Sequence, residues 1–148
     1  MSEIAYWVVL LLNTAWFGAG FWYFTFKRFA AAKLFVPRSA RSSPVFATLA
    51  AAIPFLGGMN LALSMLSGLL LICHDQFAAP AERVVLLFVF GMAHFTQFAV
   101  NVPVARQGGR QGEAYWNVRG PMLFIFVVDA IMAALNVICS AWVLVAAP

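Results

Sequence analysis

Four apolar runs, Ile4 to Phe26, Val45 to Cys73, Val84 to Val104 and Pro121 to Ala147, take up most of this chain. Each reaches the roughly 20 residues that an α-helix needs to cross about 30 Å of hydrocarbon. Charges or turn residues bound every run, and helices are predicted at about 4–26, 45–73, 84–105 and 121–147. The remaining composition agrees: 64% of residues are hydrophobic, 9% are charged, and mean hydropathy is +0.92. These values lie outside the range of soluble domains. The expected fold is all-α, an integral membrane four-helix bundle forming a single membrane domain over residues 1–148. The first run is too long for a signal-peptide core, lacks a basic leader, and contains Trp7, Trp16 and Trp22 with no small-residue cleavage site. It is read as a retained helix.

Charge distribution orients the spans. The connection from Lys27 to Pro44 carries Lys27, Arg28, Lys33, Arg38 and Arg41 with no acid, and that from Ala105 to Gly120 carries Arg106, Arg110 and Arg119 against Glu113. The connection from His74 to Arg83 holds Asp75 and Glu82, and Glu3 marks the N-terminus. Every basic residue except Arg83 therefore falls at one end. The positive-inside rule makes that end cytoplasmic and puts both termini on the non-cytoplasmic side of a multi-pass protein, in a bacterial inner membrane or its equivalent. A nucleic-acid partner is excluded, because the basic residues are not interleaved with aromatics on a soluble surface.

Prolines punctuate the helices in register with this plan. Pro44 and Pro121 stand at helix starts, where a missing N–H costs nothing, and Pro103 falls near the end of the third span. Pro54 lies inside the second span, close to Gly57 and Gly58, which predicts a kink and a close helix approach.

Asp129 is the one ionisable acid inside a span, where a carboxylate costs several kcal/mol unless paired, hydrated or protonated. At 1.5 Å per residue, Asp129 and Gln97 lie about 12 Å from the basic end, His94 about 16 Å, and Asn13, Asn60 and Asn136 about 20 Å. Each span thus sends polar groups into one middle slab. His94, Gln97 and Asn101 share a helix face, as do Asp129 and Asn136, Asn60 with Ser64 and Ser67, and Asn13 with Trp16, Phe17 and Gly20. The amides serve as interhelical glue of about 0.6 kcal/mol per hydrogen bond. An acid is a poor choice for glue, and this makes His94 and Asp129 candidate catalytic residues, with the carboxylate fixing the imidazole as a general base. Asn13, Trp16, Asn60, Gln97 and Asn136 are candidate ligand-binding residues. Of fifteen phenylalanines, twelve fall within the spans. Trp7, Trp22, Tyr23, Tyr115 and Trp116 fit interfacial belts, most phenylalanines face lipid, and part of the aromatic set suits the walls of a cavity for a flat, lipophilic small molecule.

Metal patterns such as His-x-x-His, Cys-x-x-Cys and Glu-x-x-His are missing, so no metal site is expected. No cofactor is predicted; His94 is a candidate axial ligand for haem, without a second axial residue at its level. Cys73 at the outer end and Cys139 within the last span are too far apart to pair.

Asn101-Val102-Pro103 and Trp116-Asn117-Val118-Arg119 resemble paired motifs of the small four-helix anthrone oxygenase-like membrane proteins, chiefly across His94 to Leu135. The resemblance implies a cofactor-independent, oxygenase-like activity that inserts oxygen into an activated methylene of a polycyclic phenol. It adds Asn101, Trp116, Asn117 and Arg119 to the candidate ligand-binding residues. Arg119 with Asn117 at the cytoplasmic mouth suits a phenolate or a lipid phosphate.

Two function classes follow. One is an enzyme acting on a lipophilic aromatic or quinone-like molecule. The other is a non-catalytic bundle, either an accessory subunit of a larger membrane complex or a lipophile-binding protein. Membrane lipids are partners in both, and small residues on several helix faces leave room for a homodimer or a larger membrane complex.

Overall fold

The computed structural model describes residues 3–106, 116 and 118–146. Among the described residues, four helices are long and apolar enough to cross a membrane: α1 (Glu3–Phe26), α3 (Pro44–Ile72), α4 (Pro80–Arg106) and α5 (Pro121–Val145). A short α2 (Arg28–Phe35) follows α1. The protein is therefore an all-α, multi-pass membrane bundle. At most 28% of each apolar window is buried inside the protein, so the remaining apolar surface needs lipid around it. Phe55, Ile72 and Val145 are among the large side chains facing outward, the reverse of a soluble bundle.

Local chemistry explains the ends. Ser43 caps α3 by accepting from the Val45 N–H at 3.2 Å, and Pro44 opens its first turn. α5 also opens on a proline, after Gly120, whose φ of 56° lies where a side chain would be strained. α3 runs through Pro54 as one helix, and α4 likewise includes Pro103. α4 begins at Pro80, four residues before the first apolar residue used to predict it. Its first turn carries Glu82 in water, which an apolar run cannot register.

The spans pack as two antiparallel pairs, α1 on α3 and α4 on α5, with α1 also touching α5. Small and hydroxylated residues bring the first pair together. Ser64 and Ser67 donate to the backbone oxygens of Thr14 and Leu10 at 2.9 and 2.8 Å, and Gly57 lies directly beneath Thr25. In the second pair Ser140 donates to the Val84 oxygen at 3.2 Å, and Gly91 admits Asn136 and Val137. Phe17, Phe90, Leu10, Leu70 and Leu87 form the core toward the acidic end.

The segment expected as a plain polar connection contains α2. Ala31 and Ala32 bury against Phe24, Ala50 and Ile53, seating α2 on the basic end of the α1–α3 pair. Arg38–Ala40 forms a single 3-10 turn, and Arg41 then reaches back to the Val36 and Lys33 oxygens at 3.0 and 2.9 Å. Those carbonyls end α2 and have no partners within it.

At the opposite end Arg83 pairs with Glu3 at 3.3 Å and lies over the Tyr6 ring, while Trp7 packs on His74. Both cysteines are free; Cys73 is half-buried at this end and Cys139 is buried. A membrane-impermeant maleimide added outside intact cells is expected to label Cys73 and leave Cys139 unmodified. Labelling of Cys73 only after the cells are opened would reverse the orientation argued from charge.

Candidate functional site

His94 lies at the centre of the bundle, where α1, α4 and α5 meet. Its Nδ1 is 3.0 Å from Asp129 Oδ1, and its Nε2 is 3.0 Å from Asn13 Oδ1. The Phe17 ring stacks on the imidazole at 4.5 Å with the planes 16° apart. Trp16 donates its indole N–H to the same Asp129 oxygen at 3.0 Å. Asn13 and Asn136 exchange reciprocal amide hydrogen bonds of 3.0 and 3.2 Å. His94, Asp129, Asn13 and Asn136 are all 0% exposed, which in a membrane interior demands that each polar atom find a partner.

Helix geometry fixes the orientation of the amides. Asn13 Nδ2 also donates to the Val9 oxygen at 2.8 Å, and Asn136 Nδ2 to the Met132 oxygen at 2.9 Å, each four residues back on its own helix. A backbone carbonyl only accepts, so both Nδ2 assignments are determined and Asn13 Oδ1 must face His94 as an acceptor. Nε2 therefore carries a proton. A second proton lies on the line between Nδ1 and Asp129 Oδ1, whichever of the two holds it. Neither imidazole nitrogen opens toward a cavity.

This arrangement revises the expected chemistry. The imidazole was expected to act as general base, but both of its nitrogens are engaged by protein partners. Among the described residues the buried side-chain oxygens without a partner are Asp129 Oδ2 and Thr25 Oγ1. Asp129 Oδ2 is thus the position with an open lone pair, and His94, Asn13 and Asn136 act behind it by holding the carboxyl in place. Haem ligation through His94 fits poorly for the same reason, since an axial bond needs a free imidazole lone pair.

A cavity of about 440 Å³ adjoins the cluster on its basic side. Trp16, Trp22, Tyr23 and Phe124 supply aromatic wall, Leu34 of α2 closes one side, and Gln97 and Asn60 are the polar groups. Trp16 belongs to both places: its ring, packed on Phe124 at 5.7 Å, faces the cavity while its N–H holds Asp129.

The expected site residues therefore separate into three groups. His94, Asp129, Asn13, Asn136 and Trp16 come together. Asn60 and Gln97 line the cavity instead; Asn60 Nδ2 is occupied by the Leu56 oxygen at 2.8 Å. Asn101 and Trp116 form a latch farther toward the basic end, with Trp116 Nε1 donating to Asn101 Oδ1 at 2.7 Å and the Trp116 ring edge-on to Phe35. Arg119 is exposed at that end, and Asn117 lies outside the described residues. Sequence reasoning grouped Phe17 with the polar stripe of α1 without giving it a role, and it missed Leu34 because α2 was not read as a helix. The spacing of Ala31, Ala32 and Phe35, which share one helical face, was the available signal.

No three His, Cys, Asp or Glu side chains gather to hold a metal ion among the described residues. The fold and site together define a membrane-spanning helical bundle with a sealed His–Asp–amide cluster beside an aromatic cavity. No family model, curated protein or solved structure matches the chain.

Proposed function

We propose that this bundle binds a flat, largely apolar aromatic or quinone-like molecule in the cavity beside Trp16, and that Asp129 accepts a proton from it. The observation that carries this reading is the double duty of Trp16. One side chain forms wall for the ligand and holds a carboxyl whose second oxygen has no partner. Mostly apolar walls with two polar groups suit a planar ring system bearing a carbonyl or hydroxyl, with Gln97 and Asn60 fixing its orientation.

The resemblance to the anthrone oxygenase-like proteins supports the same chemistry. An activated methylene between aromatic rings loses one proton to a base, and the resulting carbanion reacts with dioxygen. A carboxyl in a dry site serves as that base once Trp16 swings aside.

Calorimetric titration of menadione, a neutral naphthoquinone, into the detergent-solubilised protein tests the binding step. Wild type is expected to bind it saturably, and Ala19→Trp, which fills the cavity, to weaken binding at least tenfold. Oxygen uptake with anthrone tests the chemistry: Asp129→Asn is expected to bind menadione normally and consume no oxygen above background. Absence of saturable binding by the wild type would overturn the proposal. A second reading is favoured by the reciprocal Asn13–Asn136 pair, which clasps α1 to α5 irrespective of any ligand. It makes the protein a non-catalytic accessory subunit, and obligate recovery with larger membrane partners would identify it.

A further inference from the structure

A second hollow, of about 320 Å³, opens at the basic end and shares Leu34 and Pro121 with the aromatic cavity. Lys33, Arg38, Arg41 and Arg119 line it. The acids among the described residues lie elsewhere: Glu3, Asp75 and Glu82 at the opposite end, and Asp129 sealed in the cluster. Four cations therefore converge with no acidic partner among the described residues. Arg41 is held in place before any ligand arrives, because its Nε and Nη2 are tied to the Val36 and Lys33 oxygens. Little side-chain freedom remains for it to lose on binding.

We infer that the two hollows form one site for an amphiphile whose head is a phosphate monoester and whose apolar body occupies the aromatic cavity, an inference that rests on the ligand-binding reading above. Charge selects the head group. One carboxylate or phenolate is satisfied by a single guanidinium, whereas a phosphate monoester carries about −1.5 to −2 at neutral pH and offers three acceptor oxygens. Continuity selects the body. With Leu34 and Pro121 as common walls, a head among the arginines has its attached apolar group directed at Trp16 and Phe124. Arg38 lies on the 3-10 turn after α2 and Arg119 just before α5, so the head group would also pin the first connection to the last span.

The test is calorimetric titration of the detergent-solubilised protein with 1-naphthyl phosphate, menadione and inorganic phosphate. 1-Naphthyl phosphate is expected to bind at least tenfold more tightly than menadione. The Arg38→Ala/Arg119→Ala double variant should lose that advantage while still binding menadione, which also verifies its fold. Lys27→Ala/Arg28→Ala removes the same charge from the same end outside the hollow, and it should retain the advantage. Equal weakening in both double variants would reduce the effect to bulk electrostatics and overturn the inference. Inorganic phosphate binding as tightly as the naphthyl ester would also overturn it, leaving a site for the free anion. Menadione binding without preference for the ester refutes the head group and spares the cavity reading, whereas failure of both probes removes both. Displacement of the ester by dioleoyl phosphatidate would assign the head to a membrane lipid, and persistence of the ester against it would assign the head to a smaller aromatic phosphate.

Discussion

Replacing Asp129 with leucine is expected to destabilise the bundle by about 3 kcal/mol, while asparagine at the same position costs about 1 kcal/mol. Leucine removes the acceptor of Trp16 Nε1 and the partner of His94 Nδ1. Trp16 borders a cavity and can turn its indole away. His94 cannot, because Phe17 covers its ring and Asn13 holds Nε2, so Nδ1 is stranded without a partner in a dry interior. Asparagine keeps a polar group against His94 Nδ1 and Trp16 Nε1 and leaves at most one of the two contacts unmade, yet it has no carboxyl to receive a proton. The pair of variants therefore separates architecture from chemistry. Reversible unfolding in mixed micelles, with increasing denaturing detergent, measures the first, and oxygen uptake with anthrone measures the second. Equal stability losses for the two variants would mean that the His94–Asp129 contact matters as an ion pair rather than as a polar partner in place.

The second large effect concerns two adjacent glycines. Gly57→Leu is expected to destabilise the protein by about 2 to 3 kcal/mol, the range for overpacking a close contact, and Gly58→Leu by less than about 0.5 kcal/mol. A Cβ at Gly57 would strike the Thr25 side chain and lie 3.2 Å from the Thr25 backbone nitrogen, which no rotamer change relieves. α1 and α3 would have to separate. At Gly58 a Cβ meets nothing within 4 Å and enters the lipid-facing surface. Separation at Gly57 would be felt nearby, since Asn60 sits against Gly20 and both line the aromatic cavity. Weaker menadione binding by Gly57→Leu, with unchanged binding by Gly58→Leu, is the expected accompaniment. Similar unfolding midpoints for the two variants would show that the α1–α3 approach is not the constraint inferred.

Much of the architecture was legible because a membrane simplifies the code. Apolar runs of spanning length and a one-sided distribution of Lys and Arg leave few arrangements open, and the four predicted helices correspond to α1, α3, α4 and α5 within a few residues. The mid-membrane slab was legible too. Depth along each span follows from residue count, so His94, Asp129, Asn13 and Asn136 could be placed at neighbouring levels before any contact was known. Boundaries erred where charged first turns extend a helix into water, as at Glu82, and α2 was hidden because Arg28 and Lys33 interrupt an apolar pattern of only eight residues, too short to register.

Sequence alone determined that this chain is a small helical membrane bundle with an acid and an imidazole at its middle, because burial in lipid penalises charge so heavily that residue type and depth suffice. Which polar groups touch was decided only in three dimensions. Level does not specify rotation about the helix axis, and so Gln97, at the depth of Asp129, faces the cavity while His94, one turn away, meets the carboxyl. The same rotation made Gly57 a contact and Gly58 a lipid-facing residue, and it turned both nitrogens of His94 toward protein, leaving the open lone pair on Asp129.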